Sequence, residues 1–361
     1  MPPRRQRSGS SLCWAYDMAK IPIRNIYYLL SYAWDLLEEA ETLAVDTEDL
    51  PSGVDLLARL LTSGTQRLLK RGMDRGYIPQ SDVLATLRGR VDFGISSRRL
   101  LLQQAKAHCD FEDFLPDLLH NQVLKAALLA LSGCADLGSR QRAEIHSVLR
   151  RMDGISSIRI RKAHFGQVRL HRNNAHYRLL MHLCELVHDN LLVNEQSGEK
   201  VFRDFIRDEP QMAKLFESFV ANFYRRETEL EIRTQERIPW DTAEPNELLP
   251  EMRADAVIRG QERVLVVECK FYGETLQMGY HSDKPKLHSA HLYQLSTYIR
   301  HLESVDQSPK VDGLLIYPTV GVQVFTDLVL SGQRLRACTV DLGSDWESIQ
   351  LQMHKALCLS A

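Results

Sequence analysis

Asp255, Glu268 and Lys270 fall within sixteen residues of one another, and their types suit chemistry on a phosphodiester. Two carboxylates with open positions beside them offer the hard oxygen donors that Mg2+ or Mn2+ takes, whereas zinc prefers nitrogen and sulfur. A lysine alongside can orient an attacking water or neutralise charge growing on the phosphate. The chemistry requires that the three side chains meet.

A hairpin would bring them together. Val264-Leu265-Val266-Val267 is a β-branched-rich run that continues into Glu268-Cys269-Lys270-Phe271, and it follows Ala254 to Ile258 across a break containing Gly260. Alternation along a strand puts Glu268 and Lys270 on one face and Cys269 on the other. A turn at Gly260-Gln261 predicts Asp255 opposite Val266 and diagonal to Glu268, with the diagonal positions roughly 7–8 Å apart. Asp255 and Glu268 are then the candidate metal ligands, joined by the backbone carbonyl of Cys269, whose thiol faces away. A solvent-exposed, salt-bridged strand is the competing reading of the same spacing. Against it, Val264 to Val267 reads as a buried strand, and charges ending such a strand are costly unless paired or metal-bound.

The elements that would position this hairpin are legible on either side. Lys214 to Arg226 places Leu215, Phe216, Phe219, Val220 and Phe223 on a broad apolar helix face with Glu217 at its edge. His288 to Leu302 reads as a helix burying Leu292, Leu295, Ile299 and Leu302, with Gln294 and Tyr298 one above the other on another face. Gly313 to Pro318 and Ala337 to Leu342 are further strands, and Trp346 to Leu359 is a closing amphipathic helix. His281, His288 and His291 cluster after the lysine, yet no cysteine or third histidine stands at zinc-ligand spacing, so loop or substrate-facing polarity is the favoured reading.

Residues 1–20, with Pro2-Pro3-Arg4-Arg5, read as a disordered basic extension, and Met18 is an alternative start. From Ile21 to about residue 195 the pattern is mostly helical. Asn25 to Glu39 and Asp117 to Leu131 are the strongest helices, and Arg88 to Phe93 is a candidate strand. Tyr27, Tyr28, Tyr32 and Trp34 read as packing residues rather than a base-stacking platform. The polar stretch Asn194 to Lys200 marks a boundary. The expected architecture is α+β: a helical-rich N-terminal domain over 21–195, then a domain over 196–361 with a mixed sheet flanked by helices.

Composition narrows the function classes. The 361 residues are 44% hydrophobic and 25% charged, enough for two ordinary cores. No apolar run is long enough for a membrane span. Seven scattered cysteines without a Cys-x-x-Cys pair argue for reduced thiols in a cytoplasmic protein. No Gly-x-x-x-x-Gly-Lys-Ser/Thr loop occurs, so any nucleotide dependence must come from a partner. A formal charge of −2 is unusual for a protein that grips DNA alone.

Asp255, followed by Glu268-Cys269-Lys270 after a hydrophobic strand, resembles the PD-(D/E)xK nuclease superfamily. The usual proline of its first motif is absent, since Arg253-Ala254 precede Asp255. More closely, Ile21-Pro-Ile-Arg-Asn-Ile-Tyr-Tyr-Leu-Leu-Ser-Tyr-Ala-Trp34, Arg88-Gly-Arg-Val-Asp-Phe93, Asp153-Gly-Ile155 and Gly313-Leu-Leu-Ile-Tyr-Pro318 are similar to the McrC family of modification-dependent restriction systems. The resemblance implies a restriction-endonuclease-like C-terminal domain that cuts DNA with Mg2+ or Mn2+. It implies that Glu217 can bind a second metal or a water, and that Gln294, in a Gln-x-x-x-Tyr element with Tyr298, lies beside the site. It further implies an N-terminal domain that engages an McrB-like AAA+ GTPase hexamer. That partner would bind the GTP and recognise the modified cytosine in double-stranded DNA. Double-strand cleavage would need two copies of the site. A catalytically silent adaptor that activates the partner's GTPase is the alternative; a stand-alone exonuclease fits the near-neutral charge less well.

Overall fold

The computed structural model describes residues 21–43, 50–193, 200–242, 247–271, 277–279, 282–306, 310–319 and 323–357. The N-terminal extension, the boundary stretch from Asn194 to Glu199, and His281 lie outside the described residues.

The chain opens with α1 (Ile23–Ala33), α2 (Leu37–Leu43) and α3 (Gly53–Arg71), followed by β1 (Gly76–Leu84), β2 (Arg90–Val91), α4 (Phe93–Arg98) and β3 (Ala107–Leu115). Helices α5 (Leu119–Ser132), α6 (Ser139–Leu149), α7 (Lys162–Gln167) and α8 (Arg178–Asn190) come next, then the short pair β4 (Leu191–Val193) and β5 (Lys200–Phe202). The remainder is α9 (Glu209–Glu227), β6 (Glu231–Ile238), β7 (Met252–Arg259), β8 (Val264–Cys269), β9 (Gln277–Gly279), β10 (Ser282–Lys286), α10 (Ser289–Asp306), β11 (Val311–Thr319), β12 (Phe325–Leu330), β13 (Gln333–Asp341) and α11 (Trp346–Leu357).

These elements form two compact units, but not the two consecutive blocks that the sequence predicts. One unit joins the chain through Leu37 to everything from Phe205 onward; the other runs from Glu38 to Asp204. Placing α1 with residues 21–195 is therefore corrected. Its aromatic face explains the difference: Tyr32 packs edge-on against Phe219 and tilted against Phe223 of α9, and Tyr28 stacks on Trp346 with centroids 4.5 Å apart. Buried Asn25 donates to the carbonyls of Leu342 and Ser344 at 2.8 and 2.7 Å. The helix thus hides its apolar stripe on a core supplied by the far end of the chain.

The inserted unit, Glu38 to Asp204, is helical-rich, with α3, α5, α6 and α8 sharing a core that includes Leu56, Leu60, Leu124, Leu128, Ile145 and Leu183. It also carries an antiparallel sheet of order β1-β3-β2, in which the predicted Arg88–Phe93 strand is only the two residues of β2.

The other unit is built on a six-stranded mixed sheet of order β12-β13-β11-β8-β7-β6, with α9, α10 and α11 packed against it. β8 lies parallel to β11, and β11 parallel to β13. Every residue of β8 and of β11 is buried, which is why both read as continuous apolar runs. α10 sits over this centre, where Leu295, Ile299 and Leu302 join Val257, Val264, Val266, Leu315 and Tyr317 in one core. Gly313 permits the approach: a Cβ there would meet Ile299 Cδ1 at 2.7 Å and Leu295 Cδ2 at 2.8 Å. Gly313→Ala should cost about 1–3 kcal/mol, the usual result of overpacking. Urea denaturation would test it; an unchanged midpoint would mean that α10 can lift off the sheet freely.

Candidate active site

β7 and β8 are antiparallel neighbours, but their register differs from the predicted one. The pairs are Arg259↔Val264, Ile258↔Leu265, Val257↔Val266 and Ala256↔Val267. The connection is the four-residue segment from Gly260 to Arg263, closed by Gly260 N–H donating to the Arg263 carbonyl at 2.9 Å, not a two-residue turn at Gly260-Gln261. Asp255 is thus displaced by two residues from its expected place opposite Val266. A two-residue slip preserves the face on which a side chain stands, so the predicted convergence survives the error.

Asp255 follows the last paired position, and its carboxylate takes over an amide there: Cys269 N–H donates to Asp255 Oδ2 at 2.8 Å. Glu268 ends the buried strand with a side chain only 1% exposed, and Lys270 Nζ donates to its Oε2 at 2.8 Å. The same ammonium donates to Gln294 Oε1 at 2.9 Å, and Gln294 Nε2 donates to the Tyr298 hydroxyl at 2.9 Å. Lys270 N–H meanwhile donates to the Ile316 carbonyl at 3.0 Å, fixing the lysine backbone to β11. Asp255, Glu268, Lys270, Gln294 and Glu217 all line one open pocket of about 300 Å³. Every side chain singled out in the sequence for catalysis lies in that pocket.

The pocket holds more negative charge than it comfortably neutralises. Burial, then the charge of Asp255, raises the Glu268 pKa to about 7. Burial also raises Asp255, partly offset by the Cys269 amide, Lys270 and the Gln235 side chain. Glu217 is raised to about 7, by burial and by Asp255. Glu268 Oε1 is buried and, among the described residues, has no hydrogen-bond partner. An orphaned carboxylate oxygen beside a second carboxylate is the arrangement a small divalent cation satisfies, and these donors fit Mg2+ or Mn2+. The site offers two carboxylates and backbone oxygen; among the described residues no three His, Cys, Asp or Glu side chains gather as a ligand set. The Cys269 thiol is buried and its pKa is raised far above the usual range, chiefly by burial, so it stays protonated.

His288 and His291 lie together, with ring centroids 4.8 Å apart, but no zinc set forms around them among the described residues. His291 lies against the Tyr317 hydroxyl at 3.1 Å, and burial together with the nearby Lys270 charge lowers its pKa to about 4. It is therefore neutral at physiological pH.

Sequence reasoning missed two residues. Glu209, in the first turn of α9, lines the pocket; Asp208-Glu209-Pro210 carries a helix-start signal, with Asp208 accepting from Gln211 N–H at 3.0 Å. Gln235 adopts φ +52° in the middle of β6, between the pairs Thr234↔Ala256 and Glu236↔Ala254, and its side chain hydrogen-bonds Asp255. Left-handed backbone at a non-glycine residue costs on the order of 1–3 kcal/mol and persists where its surroundings impose it. No feature of the sequence marks Gln235 for this role.

Three comparisons bear on this geometry. A family model described as McrBC 5-methylcytosine restriction system component matches residues 17–318. The type IV methyl-directed restriction enzyme EcoKMcrBC of Escherichia coli (strain K12) is 31% identical over 339 residues, 92% of this chain and 96% of that relative. A solved half-complex from a tetradecameric assembly of Thermococcus gammatolerans McrB AAA+ hexamers with bound McrC matches with a TM-score of 0.60 and 18% identity. That match covers 93% of this chain and 75% of the other, and its likeness is one of fold.

Proposed function

The chain belongs to the family of McrBC 5-methylcytosine restriction system components, and from that premise we propose that it is the nuclease subunit, cutting DNA phosphodiesters with Mg2+ or Mn2+ when coupled to an McrB-like AAA+ GTPase hexamer. The observation that carries the nuclease reading is the orphaned Glu268 Oε1 beside Asp255, with Lys270 bonded to the other oxygen of Glu268. A merely structural ion pair would satisfy both carboxylate oxygens; here, among the described residues, one is left buried and without a hydrogen-bond partner on a residue that lines the pocket.

In this reading Asp255 and Glu268 would hold the cation, with the carbonyl of Cys269, the next residue along β8, as a further oxygen donor. When bound, the ion would supply positive charge against the phosphate and favour deprotonation of water. Lys270 is held by Glu268 and Gln294 at the pocket, where its ammonium orients a water and offsets negative charge as the phosphate is attacked. Gln294 is itself held by Tyr298, so the lysine has a fixed rotamer before substrate arrives. Glu217 and Asp255 share the rim, and the raised Glu217 pKa suits a group that passes a proton near neutrality. The inserted unit is assigned to partner coupling and stimulation of GTP hydrolysis, and the partner to recognition of the modified cytosine. A double-strand break then requires two copies of the subunit in one assembly.

The test is cleavage of methylated plasmid by wild type and Asp255→Ala, with Mg2+, each with and without the cognate partner and GTP. Cutting by wild type alone of the two, and only with partner and GTP, is the expected result. Wild-type inactivity in a mixture that still accelerates GTP hydrolysis would replace the nuclease reading by the adaptor.

A further inference from the structure

The catalytic pocket does not end at Asp255. A trough of about 560 Å³ adjoins it, sharing Pro210, Ala213, Glu217 and Asp255 with the pocket and extending between α9 and β6. The residues α9 contributes fall at spacings of three and four, so they form a single stripe along one side of the helix. The stripe has a low floor, in which Ala213, Ser218 and Ala221 project little, and two cationic posts, Lys214 and Arg225, both on exposed positions. Asn222, which accepts from the Arg225 guanidinium, and Thr234 and Gln235 on the β6 side add neutral hydrogen-bonding groups.

From Lys214 to Arg225 is eleven helical residues, about 16 Å, an axial length of roughly five duplex base steps. The large apolar residues of α9, Phe216, Phe219, Val220 and Phe223, are turned into the core or away from the trough, which leaves only the small surfaces of Pro210, Ala213 and Ala221 as its apolar floor. The two carboxylates of the trough, Glu217 and Asp255, stand at the end it shares with the catalytic pocket, and Arg225 stands at the far end, so a polyanionic strand continuing away from the reacting phosphate meets cationic and neutral hydrogen-bonding groups along it.

We propose that this trough is the track for the DNA strand on one side of the cleaved bond, with Lys214 and Arg225 each contacting a backbone phosphate. The assignment rests on the nuclease reading above. It also accounts for how a chain of formal charge −2 engages DNA: its basic groups need only be placed along this one line. Contacts of this kind read no bases, so they position the strand without adding sequence preference.

The experiment uses the full chain with its AAA+ partner, GTP and Mg2+, and measures methylated-plasmid cleavage over a range of DNA and salt concentrations for wild type, Lys214→Ala/Arg225→Ala, and Arg300→Ala. Arg300 is exposed on α10 and serves as a control for charge loss outside the trough. The double variant should show a raised KM for DNA, with kcat recovered at saturating DNA and GTPase stimulation unchanged. Two lost phosphate contacts should reduce the slope of log KM against log salt by about 1.8, so that its KM rises roughly tenfold less than wild type between 50 and 200 mM salt. An unchanged KM and slope would overturn the proposal, as would an equal effect in Arg300→Ala. Loss of GTPase stimulation with KM unchanged would make the trough a protein contact and would also overturn it. If wild type itself fails to cut, the nuclease reading falls and takes the track with it; if wild type cuts and the double variant matches it, only the track falls.

Discussion

Lys270→Ala should lower cleavage by roughly a hundred- to a thousandfold, the range found when one preorganised donor is removed from a reacting centre, while leaving stimulation of the partner's GTP hydrolysis intact. Lys270 Nζ pairs with Glu268, whose side chain is 1% exposed, and it also holds Gln294. Its removal takes away the charge facing the attacked phosphate and leaves both partners unheld. The GTPase readout reports that the variant still folds and assembles, so a loss of cutting cannot be put down to unfolding. Cleavage rates in the reconstituted complex decide the matter. A Lys270→Ala protein that cuts at the wild-type rate would remove the lysine from the mechanism. A wild type that never cuts but stimulates normally would make the whole constellation a retained ornament of an adaptor.

Glu268→Gln should stabilise the metal-free protein at neutral pH and abolish its stabilisation by Mg2+. The Glu268 pKa is about 7 in the folded chain against an ordinary 4.5, raised mainly by burial and then by Asp255. Below about pH 4.5 the group is protonated in folded and unfolded chains alike and contributes no penalty. Between there and pH 7 the unfolded chain ionises while the folded one keeps its proton, so stability falls as pH rises. Above pH 7 the full penalty stands, on the order of 3 kcal/mol. Glutamine has no proton to lose, so the variant's denaturation midpoint should vary less over pH 5–8 than that of wild type. A divalent cation favours the ionised carboxylate, so Mg2+ should flatten the wild-type dependence and leave the variant unmoved. Denaturation midpoints over that pH range, with Mg2+ and with chelator, test it; equal slopes for the two proteins would exclude Glu268 as the buried group that titrates.

Much of this site is legible in the residues because it is local. β8 reads as a buried strand from four consecutive apolar residues, and the charged Glu268-Cys269-Lys270 that follows is anomalous enough to single out. Gln294 and Tyr298 come from helical spacing and are bonded as that spacing implies. The register of the β7–β8 hairpin was not legible, because Gly260 suggests a tight turn and nothing in Gln261-Glu262-Arg263 says that the loop holds four residues. Gln235 was invisible for a different reason: its left-handed backbone is imposed by strands paired on either side of it, and glutamine has no preference that announces it. The association of α1 with α9 and α11 is a matter of tertiary partnership. Tyr28 and Tyr32 are recognisable as packing residues, but the sequence does not say that Trp346 and Phe219 are what they pack on.

That partnership has a bearing on biosynthesis. Because the unit that holds Asp255, Glu268 and Lys270 includes α1 and resumes only at Phe205, the ribosome must complete the whole of Glu38 to Asp204 before that unit can close. A chain interrupted before Phe205 contains none of the candidate catalytic residues, and a fragment that starts after Asp204 lacks the helix that covers Phe219, Phe223 and Trp346. The order of translation therefore makes the inserted unit an obligatory companion of the candidate site: no chain can complete the second without having already made the first.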